Sequence, residues 1–532
     1  MMRKIYVNGV IYTFNKIQPI VSAVVTENGI FIDMGESKQM LNFWKDSDTE
    51  VIDLQGKTVT PGLTDSHLHL AGIAESFVTL DLTGTNTKQE MLEKIEEKAK
   101  SLPPEEWIIG GNWDENLFTE GKIPSISELD HVAPDNPLLL TRICRHAAVT
   151  NSKALEIANY HPDMAVPKGG TIVLDETTKQ PTGLLLESAK ELIAQHIPKR
   201  SFADWKNALR KSIQFTIKQG ITSAHTNDPF ALGGLEQTYQ IYDQLLNKEQ
   251  LGLRTNLLIN HEFLDDLRAN KMYAGYGNDT LQIGAIKIFA DGAFGRRTAL
   301  LSEAYTDDPD NYGTAMYSED ELINIIRKAR ELHFPVAVHT IGDQAVENVL
   351  NALDKFPTVS YRDRIIHVQV LRKELIDRLR HPSRIVDIQP RFLASDFPWV
   401  QERLGTERIQ TSYAWKSLLQ AGVICAGGSD APIEPVNPLL GIHAAVTRKT
   451  PGDTHGGYNI EEKLSVTEAF QLFTEYGAYP TNEETKKGTI ARGKFADMTV
   501  FSHHPFEMEN PDDLLKTEVD MTVIGGEIKY RK

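Results

Sequence analysis

The sequence has almost no cysteine: Cys144 and Cys425 are the only two in 532 residues, far apart and each inside an apolar run. That excludes a disulfide scaffold, which needs pairs, and a CxxC metal or redox motif. Long hydrophobic runs are missing too. No stretch approaches the ~20 apolar residues that span a bilayer. The basic start MMRKIYVNGVIYTF is interrupted by charge and by Asn-Gly before a signal-peptide core of ~7–15 apolar residues can form. A cytoplasmic protein is expected. Positive charge is also in short supply. With 56 basic and 73 acidic residues, the formal net charge of −17 argues against non-specific binding to nucleic acid or anionic membranes. The expected partner is a small-molecule substrate, with no nucleic acid and no membrane; a homo-oligomer stays open.

What is present belongs to a globular chain too long for one hydrophobic core, so a large catalytic domain with at least one smaller module is expected. The first sixty residues read as strands, with Asn-Gly hairpin signals in IYVNGVIYTF and AVVTENGIFIDMG. The end of the chain, GTIARGKFADMTVFS and VDMTVIGGEIKY, has the same texture. Neither piece has enough strands to stand alone, which predicts one composite β-sandwich domain from residues 1–60 and 486–532.

Residues 61–485 alternate short apolar strands with helical stretches such as TKQEMLEKIEEKAKSL and SEDELINIIRKARELH, the pattern of βα units on a parallel sheet. The fold expected is α/β, a (β/α)₈ TIM-like barrel. The candidate strands GLTDSHLHL, PLLLTRI, ITSAHT, RTNLLIN, GAIKIFA, PVAVHTI, RIIHVQV, RIVDIQP and VICAGGSD exceed the barrel's places by one. PLLLTRI is assigned to an insertion lying roughly within 75–210.

Several of these strands end in a side chain that can bind a metal, and parallel barrel strands bring their C-terminal ends to one face. His67 and His69 close the first strand two residues apart, so both imidazoles can point the same way and grip one ion. Two hydrogen-bonded surface histidines are the plain alternative. His339 in PVAVHTIGD, His367 in RIIHVQV and Asp430 in VICAGGSDAP repeat the strand-end placement. Gathering that many imidazoles and a carboxylate in one mouth is costly unless a divalent cation pairs them. One or two divalent ions are expected, with zinc favoured by nitrogen and oxygen donors.

Lys287 sits inside the apolar strand GAIKIFA, where burial favours the neutral amine. Such an amine can react with carbon dioxide to give a carbamate. The alternatives are an ion pair with Asp291, four residues on, or a lysine reaching to solvent. Candidates for substrate contact are His146, His225, Arg296 (with Arg297) and Trp113, and further pocket walls are Asp114 and Trp399. Each of these is equally readable as a hydrogen-bonded, solvated or core residue.

The motifs TPGLTDSHLHL, GAIKIFADGAFGRRTALL, VAVHTIGD, IIHVQV and GGSDAPIEP, with the tail GTIARGKFADMTVF, resemble the amidohydrolase superfamily almost from end to end. The resemblance is closest to the branch holding N-substituted formamide deformylase and exoenzyme-regulatory relatives. It implies a site in which His67 and His69 hold the more buried metal and a carboxylated Lys287 bridges two ions. His339 and His367 then hold the second ion, and Asp430 binds metal and acts on the nucleophilic water. One departure is Arg145 before His146, where relatives often have Asp-Gly-His. The function implied is hydrolysis of a non-peptide C–N bond, amide- or formamide-like, in a small molecule. A different metal-assisted reaction on the same barrel (ester hydrolysis, isomerisation, decarboxylation) or a non-catalytic regulatory protein stays open, because fold does not set chemistry.

Overall fold

Apolar, β-branched runs in the middle of the chain form a single sheet of eight strands. In a computed structural model, which describes residues 3–161 and 164–532, these are β1 (Leu63–Leu68), β2 (Ile221–Thr226), β3 (Arg254–Asn260), β4 (Leu281–Phe289), β5 (Val336–Thr340), β6 (Asp363–His367), β7 (Arg384–Ile388) and β8 (Cys425–Gly427). They lie in sequence order and every neighbouring pair is parallel. This is a nearly closed, TIM-like barrel. Strands such as β2 and β3 are buried along their whole length, as a parallel sheet covered by helices requires.

The intervening helices follow from local signals. Glu319–Glu331 opens with a capping box, in which Ser318 accepts from Glu321 N and the Glu321 carboxylate accepts from Ser318 N. Acidic residues fill its first turn and Lys328 and Arg330 its last, matching the helix dipole. Its apolar residues Leu322, Ile325, Ile326 and Ala329 recur every three to four positions and are buried together.

Closure between β8 and β1 relies on the loop after β8. Asp430 N donates to His67 O at 2.7 Å, and His69 N donates to Ala431 O at 2.8 Å. The buried Asp65 carboxylate accepts from Ser429 Oγ at 2.6 Å and also from Ser429 N and His67 N.

Residues 73–208 form a compact unit of their own, and the rest of the chain forms the other. The smaller unit holds a six-stranded mixed sheet that includes Leu138–Arg142, the strand beyond the barrel's eight. Its two faces carry separate cores, one around Met91, Trp113 and Leu140 and one around Leu139, Leu155 and Leu185.

Both chain ends contribute to one further six-stranded sheet within the larger unit. Thr58–Pro61 pairs in parallel with Val10–Tyr12 and antiparallel with Met498–Phe501, with Met498 opposite Pro61. A second sheet of four strands, all from the first 53 residues, shares a core with it through Tyr6, Val24, Phe31, Val59, Val500 and Val523. A buried ion pair joins this region to β3. Arg254 donates from Nε and Nη2 to Asp497 at 2.7 and 3.1 Å, and its guanidinium lies 3.7 Å over the Phe495 ring.

Removing the carboxylate would strand that buried cation. Asp497→Ala is therefore expected to lower stability by about 3–5 kcal/mol, measured by denaturant unfolding.

Candidate metal centre

Because all eight strands run the same way, their C-terminal ends open on one face, and it is there that the metal-capable side chains meet. His67 lies in β1 and His69 just beyond it; Lys287 lies in β4, His339 in β5 and His367 at the end of β6. Asp430 follows β8. The backbone leaves extended geometry at these points, with φ of +78° at His367 and +57° at Asp430. Such non-glycine conformations persist where the surroundings enforce them. For Asp430 the surroundings are the bonds that close the barrel.

The groups converge tightly. Asp430 Oδ1 stands 3.1 Å from His69 Nε2 and 3.5 Å from His67 Nε2. Lys287 Nζ is 3.2 Å from His67 Nε2. The ring centroids of His67 and His367 are 5.6 Å apart, and those of His339 and His367 4.5 Å. Ligand atoms of His67, His367 and Asp430 all lie within 4.8 Å of one another. His67, Lys287, His367 and Asp430 are buried, while His69 and His339 keep partial access to solvent.

Three of the four imidazoles are each oriented by a carbonyl oxygen behind the ring. His69 Nδ1 faces Asn227 O at 3.0 Å, and His367 Nδ1 faces Gln389 Oε1 at 2.7 Å. His339 instead turns Nε2 to Gly292 O at 3.0 Å. A carbonyl requires an N–H opposite, so the free lone pair is Nε2 in His69 and His367 and Nδ1 in His339.

Charge follows burial. Burial and the neighbouring Lys287 hold His67 well below the usual imidazole range. Burial and His367 do the same to His339. Burial opposes charge on His69 as well, but Asp430 outweighs it and raises that pKa. Burial pulls the Asp430 carboxyl upward, but His69, His367 and Lys287 together keep it below its ordinary value. Burial brings the Lys287 amine down to about 7. The result is an anionic carboxylate held by His69 beside the neutral imidazoles of His67, His339 and His367. Asp430 Oδ1 and His67 Nδ1 are buried and make no hydrogen bond of good geometry among the described residues. A carboxylate and several neutral imidazoles suit a divalent cation, and the residues fit one.

Asp291 is not placed as an ion-pair partner of Lys287. The chain turns after β4, and the Asp291 carboxylate accepts from the backbone N–H of Leu300, Ile341 and Gly342 at 2.8–3.0 Å. It thereby ties the loops after β4 and β5 together. Lys287 Nζ instead lies 4.8 Å over the Phe289 ring.

The other candidates go elsewhere. His225 is wholly buried inside the barrel. Arg296 is exposed on the short turn Phe294–Arg296, and Arg297 pairs with Asp307. Trp399 is half-buried, with the Arg403 guanidinium 3.9 Å above it. In the smaller unit Trp113 is a core residue whose indole N–H donates to Leu140 O, and Asp114 pairs with Arg142. His146 is exposed and pairs with Glu187, and Arg145 takes φ +67° where a glycine would be unstrained. Sequence reasoning missed Asp65, Asn227 and Gln389. Of these only Asp65, two residues before His67, stood in a motif that could have signalled it.

The amidohydrolase family profile matches residues 50–530. YtcJ of Bacillus subtilis strain 168, named for the amidohydrolases, is 42% identical over the full length of both chains. N-substituted formamide deformylase of Arthrobacter pascens is 27% identical across 91% of this chain and 90% of its own. The crystal structure of an uncharacterised metal-dependent hydrolase from Pyrococcus furiosus superposes with a TM-score of 0.77 at 30% identity, covering 95% of this chain and all of that one.

The orienting carbonyls generate a prediction. Gln389→Leu frees the His367 ring and should weaken divalent-metal affinity roughly 10–100-fold, read by competition with a chelator.

Proposed function

The chain belongs to the amidohydrolase family and is a metal-dependent hydrolase; we propose that the bond it cleaves is a non-peptide C–N bond, amide- or formamide-like, in a small molecule. The observation that carries this reading is the convergence of His67, His367 and the anionic Asp430 at the mouth of the barrel. Similarity to a formamide deformylase across nine-tenths of both chains favours the C–N bond over an ester.

Divalent metal, zinc by the donor set, would be held by His67, His69, Lys287, His339, His367 and Asp430, and supplies a Lewis acid that polarises a carbonyl and brings the pKa of water toward ~7. The protein's own part is proton handling and orientation. Asp430, anionic and within reach of the centre, takes the proton of the attacking water as the new C–O bond forms. It returns that proton to the nitrogen as the C–N bond breaks, giving a carboxylic acid and an amine. The carbonyls of Asn227 and Gly292 and the amide of Gln389 hold the rings of His69, His339 and His367 in place throughout. Lys287, driven by burial toward its neutral amine, would add to carbon dioxide with release of one proton to solvent, and the carbamate so formed would supply anionic oxygen to the ligand set. The two terminal sheets form one small composite β domain, residues 1–60 with 486–532, and residues 61–485 carry the catalytic barrel with an insertion roughly within 75–210.

Chelation should abolish turnover of N-formyl and N-acyl amines, and added divalent ions should restore it. The double variant His67→Ala/His69→Ala should lose bound metal by elemental analysis, and full metal content there would exclude these ligands. Asp430→Asn should lower kcat by about 10²–10⁴ in steady-state assays. Lys287→Ala should lose metal and most activity, with partial recovery of both in short carboxylic acids, which supply the missing anionic oxygens.

A further inference from the structure

One level below the gathered imidazoles, the barrel interior is polar. Four strands send side chains to one place: Ser66 from β1, His225 from β2, Arg364 from β6 and Asp387 from β7. None is more than 1% exposed. Asp387 pairs in register with Ile366, two residues from Arg364, so Arg364 and Asp387 leave the sheet on the same side. Ser66 lies against both Asp387 and His225.

Arg364 holds this group together. Its Nε donates to Asp387 Oδ2 at 2.7 Å, and its Nη2 donates to the carbonyl oxygen of Ser66. The second bond crosses the barrel, since β6 and β1 are not neighbours in the sheet. It also lands on the peptide that joins Ser66 to His67. That peptide is planar, so fixing its carbonyl fixes the direction in which the His67 backbone sets out.

Around this contact, five buried atoms make no hydrogen bond of good geometry among the described residues: Ser66 Oγ, both ring nitrogens of His225, Arg364 Nη1 and Asp387 Oδ1. Buried polar atoms are almost always hydrogen-bonded, to protein or to ordered water. Here donors and acceptors occur together, and the charges of Arg364 and Asp387 cancel. The ligand that suits such a place is neutral and both donates and accepts, which describes water.

We propose that Arg364 is a positioning residue for the metal centre, fixing the Ser66 carbonyl, and through it His67, from a buried water-filled cage shared with His225 and Asp387. The proposal rests on the reading of His67 as a metal ligand.

Arg364→Met alone would leave the Asp387 carboxylate buried without its cation, which endangers folding. The informative variant is Arg364→Met/Asp387→Leu, which removes both charges together; such replacements are often neutral for stability. Zinc affinity would be measured by chelator competition, alongside thermal unfolding and a wild-type crystal structure fine enough to show water. The paired variant should melt near wild type yet bind zinc roughly 10–100-fold more weakly. Arg364→Lys, which keeps the charge but not the forked donors, should fall between, and it carries the comparison if the paired variant does not fold. Wild-type density should show water bridging Arg364 Nη1 and His225. Unchanged zinc affinity in these variants, or a cage without ordered water, overturns the proposal alone. A wild-type chain that binds no divalent ion overturns the metal reading and this proposal with it.

Discussion

The mouth of this barrel depends on how its last strand meets its first. Asp65 is the central group. Its buried carboxylate gathers Ser429 and the His67 backbone, and beside it Asp430 N bonds to His67 O. Those contacts do more than close the sheet. They hold Asp430 in its left-handed conformation and bring its carboxylate against His67 and His69, two histidines more than 350 residues away in sequence. The raised pKa of His69 follows from that meeting. Without the carboxylate, burial would oppose charge on His69 as it does on the other imidazoles and on the amine of Lys287.

The gathering of His67, His69, Lys287, His339, His367 and Asp430 was legible in the sequence because it needs only strand position. Each follows or interrupts an apolar run, and parallel strands bring their ends to one face whatever the register. The alternation of strands and helices made the eight-stranded barrel readable for the same reason, including the surplus strand Leu138–Arg142. The supporting groups were not legible, because they depend on register and loop path. Gln389 faces His367 across 22 residues and Asp65 faces Ser429 across 364. Asp291 shows the limit well. Spacing alone offered it to Lys287, but the chain turns after β4, and backbone amides from two other loops occupy it.

Substrate-facing residues were the hardest to read, and for a physical reason. Metal ligands are specified by donor chemistry, whereas a pocket wall can be any side chain that happens to face the cavity. Trp113 had the composition of a wall and is part of a core, while His225 had the composition of a ligand and lies beneath the centre.

The pairing of Thr58–Pro61 with Met498–Phe501 has a consequence on the ribosome. Pro61 emerges more than 400 residues before Met498, its partner across the sheet. At ~5–20 residues per second, that is a wait of roughly 20–90 s. Through that interval the early strands present an unpaired edge, the kind of surface that invites association with other chains. Arrival of Met498–Phe501 is thus what ends the exposure of that edge of Thr58–Pro61.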